Sequence, residues 1–209
     1  MNTKHKQCIT ETRKYRGAIQ RTAVLCLMLA VLIACASTGK VMVVQAQRGP
    51  DWATAVVVEG VPNLHKINDN LYRSAQPSAE GMKNLEKLGI KTVINFREFH
   101  DDKDEVMGTN LKRIDIPMYA WDIKDKTINE ALKQLGNKND GPYLIHCMHG
   151  ADRTGVVSAM YRILYEQWDK QKAIDEMRGG GFGFHEVWSN IIAYVENVDV
   201  QAMKLSLSK

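Results

Sequence analysis

Apolar positions along this chain fall into two periods. Four short segments read as strands: residues 70–74 (NLYRS), 91–96 (KTVINF), 111–116 (LKRIDI) and 143–147 (YLIHC). The second and fourth are continuously apolar rather than alternating, as strands covered on both faces are. Between them apolar residues recur at helical spacing. "SAEGMKNLEKLG" opens on Ser78 as N-cap and stops at Gly89. "TINEALKQLG" opens on Thr127, with Glu130 completing a capping box, and stops at Gly136. "RTGVVSAMYRILYEQ", "DKQKAIDEMRGGG" and "HEVWSNIIAYVENV" supply three more helices. Strands alternating with helices predict an α/β fold, with a central, mostly parallel sheet of four to five strands flanked by helices. The domain is expected over residues 61–200, with a tail at 201–209. A tether at 36–60 precedes it, in which "TAVVVEG" could pair as an edge strand.

The first 35 residues follow a different pattern. A basic stretch ends at Arg21, and about 13 apolar residues follow, "TAVLCLMLAVLIA". That is shorter than the ~20 needed to span a bilayer and matches the basic region and apolar core of a secretory signal. The run closes on "LIAC", which resembles the lipobox of bacterial lipoproteins and makes Cys35 a candidate for lipidation. Ordinary cleavage after Val44-Gln45-Ala46 and retention as an uncleaved anchor are the alternatives. All three place the body outside the cytoplasm, in the periplasm or on the outer membrane.

Charge follows the same division. The chain carries a formal +4, but residues 1–35 hold six basic side chains and one acidic one, leaving 22 basic and 23 acidic for the rest. A near-neutral body without clustered Lys and Arg excludes a nucleic-acid surface. Of four cysteines (Cys8, Cys26, Cys35 and Cys147), only Cys147 remains free after processing at Cys35. A lone thiol in an oxidising compartment has no internal partner.

Cys147 stands in "HCMHGADRTG", residues 146–155, between the fourth strand and a helix. Ligands of such folds bind at the carboxyl ends of the strands. The backbone N–H groups of Met148, His149, Gly150, Ala151 and Asp152, with the helix N-terminus, form an anion site. Gly150 lets the backbone curl, and Arg153 brings a planar fork that matches two phosphoryl oxygens. Such a field favours thiolate over thiol and sets a nucleophile against bound phosphate.

The stretch resembles the His-Cys-x5-Arg-Ser/Thr signature of the cysteine-dependent protein tyrosine phosphatases. "LYRSAQPS", "VINFRE", "IDIPMYAW" and "GGGFGFHEVW" are similar to the small dual-specificity branch, and to its exported bacterial members, over about residues 61–200. The resemblance implies that Cys147 forms a phosphocysteine intermediate and that Arg153 binds the phosphate. It also implies that Thr154 hydrogen-bonds the sulfur in the second step, and that His146 orients the loop. It requires a general acid from the loop "IPMYAWDIKDKT". Asp122, after Trp121 and near the strand end, is the first choice, and Asp125 the alternative unless it only caps the next helix. Asp152 is the third, since myotubularin-like lipid phosphatases carry an acid there; Asp115 is read as structural. Arg97 either buttresses the loop or pairs with Asp101, Asp102 or Glu105. Residues 178–188 either bring Phe182, Phe184 and His185 to the pocket rim or form a glycine helix stop followed by core aromatics.

No grouping of His, Cys or Asp has metal spacing, and neither metal nor cofactor is expected. The expected partner is a phosphorylated protein, and the chain is read as a monomer. An inositol phosphate or phosphoinositide phosphatase is the competing enzyme, but "MHGAD" lacks the lysines that meet several phosphates, and Asp152 would repel a polyanion. A phosphoprotein-binding pseudophosphatase would have lost Cys147 or Arg153, and both are present.

Overall fold

The computed structural model describes residues 48–208. Residues 1–35, where a signal segment with Cys35 is expected, and the first part of the expected tether lie outside the described residues, as does Lys209. Among the described residues no helix is long and apolar enough to cross a membrane.

Six strands form one mixed sheet: β1 (Thr54–Ala55), β2 (His65–Asn68), β3 (Leu71–Ser74), β4 (Thr92–Asn95), β5 (Lys112–Asp115) and β6 (Tyr143–His146). Their order is β1-β2-β3-β6-β4-β5. The last four are parallel to one another, whereas β1, β2 and β3 pair antiparallel. The sheet is therefore larger than the four to five strands expected. β2 escapes the apolar pattern because its inward positions are His65 and Ile67, an alternation with one polar member.

Among the described residues six helices cover the sheet: α1 (Ala79–Leu88), α2 (Asp125–Gly136), α3 (Asp152–Tyr165), α4 (Lys170–Gly179), α5 (Ser189–Asn197) and α6 (Val200–Leu207). All four residues of β4 and of β6 are buried. Leu144 and Val93 face a small core with Met82 and Leu85 of α1, while Tyr143, Ile145 and Ile94 face the main core with the other helices. This two-sided burial explains the continuous apolar runs.

Helix ends follow the sequence in part. Ser78 caps α1 through the Gly81 N–H, and Gly89 ends it at φ 99°. The Thr127–Glu130 box does not form: α2 begins at Asp125, whose carboxylate favours the positive helix end. The expected tail is helical instead. Asp199 caps α6 by accepting from Gln201 N–H and Ala202 N–H, and Met203 is buried.

The tether expectation shortens at its end. Arg48 donates to the carbonyls of Gly180 and Ala53, and β1 pairs with β2. Ala53 is buried, and its N–H donates to Glu176 Oε1 at 2.6 Å. Residues from Arg48 onward thus belong to the domain. Glu176 is itself buried and takes two bonds from Arg162, at 2.7 and 2.9 Å. Arg162 also pairs with Glu166, so removing Glu176 leaves a partly compensated buried charge, at a cost of up to about 3–5 kcal/mol. Glu176→Ala should lower the unfolding free energy by about that amount; a denaturant midpoint equal to wild type would show that the N-terminal clasp carries no stability.

Candidate active site

Parallel register sets His146 opposite both Ser74 and Asn95, and Asn95 opposite Asp115. Four strands therefore end at one level. Cys147 follows β6 there and is 2% exposed. Met148 and His149 face solvent, Gly150 and Ala151 turn inward, and α3 starts at Asp152.

Three contacts shape the loop. Gly150 has φ 69°, and a Cβ there would lie 2.4 Å from the Ser74 carbonyl, so only glycine fits. Arg73, 1% exposed, donates to the carbonyl of Gly150 at 2.8 Å and approaches that of Ala151 at 3.4 Å. Gln76 N–H donates to the Met148 carbonyl at 3.3 Å. Because a peptide unit is planar and trans, drawing carbonyls backward turns the following N–H groups forward. Among the described residues no acceptor meets the N–H groups of Met148, His149, Gly150 or Ala151, and α3 has no side-chain cap. A ring of free donors at a helix N-terminus is an anion site.

Arg73 was not singled out from the sequence. Its guanidinium lies 3.6 Å from the Phe182 ring centroid. Burial pushes its pKa down to about 10, against the pull of Glu176 and Cys147, so it stays cationic at neutral pH beneath the loop. Arg153 forms an ion pair with Glu98 and lies 3.5 Å from the Met118 carbonyl. Its Nε is buried without a partner. Burial first, then the charge of Arg97, moves its pKa down. The Thr154 hydroxyl is also buried and unpartnered, so the bond to the cysteine sulfur is not made in this structure.

His146 and Asp102 form a fully buried pair, Nε2 to Oδ2 at 2.6 Å. Gln76 Nε2 donates to the other Asp102 oxygen at 2.8 Å, and Arg97 donates to Gln76 Oε1 at 2.9 Å. The ion-pair reading of Arg97 is thus corrected: among the described residues it pairs with none of Asp101, Asp102 and Glu105, and Asp102 belongs to His146. Arg97 reaches the loop only through Gln76, whose N–H meets the Met148 carbonyl, and the direct contact to the loop carbonyls comes from Arg73. Burial works to raise the Asp102 carboxyl pKa, but the bond and charge of His146, with Gln76 and His100, prevail and leave it below 3.8.

The three acid candidates are differently held. Asp122 is exposed, bridged to Tyr119 and paired with Lys124 at 2.9 Å, a tie that counts for little in water. Asp125 accepts from the Tyr194 hydroxyl at 2.8 Å. Asp152 is buried and accepts from the His185 backbone N–H at 2.9 Å, with His185 Nδ1 2.9 and 3.1 Å from its two oxygens. Asp122 is the one whose side chain can turn without breaking an interhelical or buried bond, although Asn190 Nδ2 holds its loop through the Ala120 carbonyl at 2.8 Å. In residues 178–188 the helix stops at Gly179, and Phe182 and Phe184 pack in or on the core as the second reading has it; of the rim reading only His185 is met, beside His149 and Asp152.

The Asp102 shift has a definite sign. A carboxyl whose folded pKa is depressed stabilises fully above its unfolded value and loses that contribution as pH falls through the folded one. Unfolding of Asp102→Asn and wild type should therefore converge as pH drops from about 6 to about 2. A constant difference across that range would mean the carboxylate charge is not what holds His146.

The model of the "Tyrosine phosphatase family" matches residues 61–205. The dual specificity protein phosphatase TpbA of Pseudomonas aeruginosa is 38% identical over 164 residues, covering 78% of this chain and 74% of its own. A crystal structure of its cysteine-to-serine form with phosphotyrosine is similar at TM-score 0.70 and 37% identity, over 78% of this chain and 99% of that one. The catalytic core of the S. cerevisiae PP-IP phosphatase SIW14 is similar at TM-score 0.62 and 25% identity, over 73% and 94%. With the Cys147–Arg153 loop at the carboxyl ends of the strands, the chain belongs to the tyrosine phosphatase family.

Proposed function

We propose that the protein hydrolyses phosphotyrosine in proteins, with phosphoserine and phosphothreonine as further candidates, through a phosphocysteine intermediate. The observation that carries this is the ring of unpartnered N–H groups around Cys147, closed by Arg153. The Cys147 sulfur attacks phosphorus, and the tyrosyl oxygen leaves with a proton from Asp122. Water then attacks the S–P bond, gives its proton back to Asp122, and releases inorganic phosphate and the thiolate. Arg153 must exchange Glu98 for the phosphate oxygens as substrate enters.

The rim supports an aryl ester. Phe99, Tyr119, Trp121 and Met148 are large and exposed. Tyr119 packs on Trp121 at 4.7 Å and on Phe99 at 6.1 Å. Phe99 follows Glu98 and Tyr119 follows Met118, the two residues that meet Arg153. An aromatic ring beside the phosphate site thus has apolar surface to meet. The argument from Asp152 against polyanions is weaker than the sequence suggested, because His185 engages that carboxylate. The likeness to SIW14 makes inositol pyrophosphates the competing substrates. Cys147→Ser should abolish turnover and keep phosphate binding; residual turnover near wild type would exclude the covalent route. Phosphotyrosine peptides should be turned over faster than phosphoserine peptides or inositol pyrophosphates, and the reverse order would make the competing reading correct.

Asp122→Asn should slow phosphotyrosine hydrolysis by ~10²–10⁴-fold, and should do so less for nitrophenyl phosphate, whose leaving group needs no proton. The same pattern for Asp125→Asn alone would move the role there.

The basic and apolar N-terminal segment supports export, and "LIAC" supports lipidation of Cys35 and a membrane-attached enzyme facing the periplasm or outer surface. Fractionation should find the full chain in membranes and Cys35→Ala released from them. Cytoplasmic full chain would end this reading.

A further inference from the structure

The rim of the phosphate loop carries a second set of donors. His149, Asp152 and His185 each place one ligand atom within 4.8 Å of the other two. The rings of His149 and His185 meet edge-on with centroids 5.3 Å apart. Spacing hides this group in the sequence, because His185 comes from a loop 33 residues beyond Asp152.

The fold locks the two loops together. Asn63 Nδ2 donates to the His149 carbonyl at 2.9 Å and to the Phe182 carbonyl at 2.8 Å. Arg73 joins them again, bonding Gly150 and stacking on Phe182. The Asp152 side chain is only 9% exposed and is oriented by the His185 backbone N–H, while both imidazoles reach solvent. Outer hydrogen bonds of this kind orient metal ligands. The other cluster among the described residues is His100, Asp102 and Glu105, but there His146 and Gln76 already occupy the Asp102 oxygens.

Two imidazoles and one carboxylate suit a borderline-soft divalent ion, with open positions left over. We propose that His149, Asp152 and His185 bind a divalent transition ion of the zinc class, and that its occupancy inhibits turnover at Cys147. His185 Nδ1 exchanges its contact with Asp152 for the ion, and Asp152 turns an oxygen to it. Two of the three ligands belong to the loop that closes on phosphate. The ion's charge and open positions then hold an oxyanion in the adjacent loop and slow its release. The inhibitory half rests on the phosphatase reading; the binding half does not.

The test titrates the full chain with Zn2+ by calorimetry and with Co2+ by absorption. A single rim ion is expected, with a Co2+ spectrum free of the near-ultraviolet band that thiolate ligands give. His185→Ala and His149→Ala should each weaken Zn2+ binding by tenfold or more, the loss that even an outer partner causes. Cys147→Ser should leave binding in place. Zn2+ should lower wild-type turnover, and His185→Ala should need correspondingly more ion. Unchanged affinity in both histidine variants overturns the site. So does loss of binding when Cys147, or Cys8, Cys26 and Cys35, become serine. Binding without inhibition overturns the inhibitory half. Intact binding in a chain with no phosphatase activity would instead fail the proposed function and leave the site standing.

Discussion

The arrangement of the site depends on one buried cation. Arg73 sits beneath the loop that follows β6 and draws the Gly150 carbonyl toward itself. A loop of planar peptides has two sides, and fixing its carbonyls behind leaves its N–H groups in front. Without Arg73 the Gly150 carbonyl would be buried and unsatisfied, and the donors would lose their common direction. Gly150 is the complement of this bond, since its positive φ and its closeness to Ser74 leave no room for a side chain.

A buried guanidinium needs compensation, and the fold supplies most of it, leaving Nε buried without a hydrogen-bond partner. Phe182 covers its face, and the charges of Glu176 and Cys147 favour its protonated form. Glu176 is in turn fixed by Arg162 and by the Ala53 N–H. The N-terminal clasp, α3, α4 and the glycine loop thus meet at one charge network under Cys147. On the other side, Asp102 holds His146 and, through Gln76, reaches the Met148 carbonyl and Arg97. Cys147 lies between the two networks, which accounts for how a tight turn after a central strand can be held in one conformation.

The chemistry was legible where it is contiguous. Cys147, Gly150 and Arg153 lie within seven residues of one another, and a strand before and a helix after complete the pattern. β4 and β6 were legible because burial on both faces leaves continuous apolar runs. The supports were not, because they act across the chain: Arg73 reaches 77 residues to Gly150, Asp102 reaches 44 to His146, and Glu98 reaches 55 to Arg153. A buried arginine in a strand looks like a surface charge until its partners are placed. Asp102 and Arg97 illustrate the same limit, being neighbours in sequence that join one network through Gln76. The clasp at Arg48–Ala55, apart from the edge strand that "TAVVVEG" allowed, and helix α6 were read as tether and tail because short segments carry too few apolar residues to show a period.

The most direct test is the affinity for inorganic phosphate when Arg73 becomes Lys. An ammonium keeps the charge but not the planar fork or the stack on Phe182. Hydrogen bonds to charged groups contribute about 1.5–3 kcal/mol, so phosphate should bind roughly 10–100-fold more weakly while circular dichroism shows the fold retained. Unchanged phosphate affinity in a folded Arg73→Lys protein would contradict the claim that this arginine sets the loop.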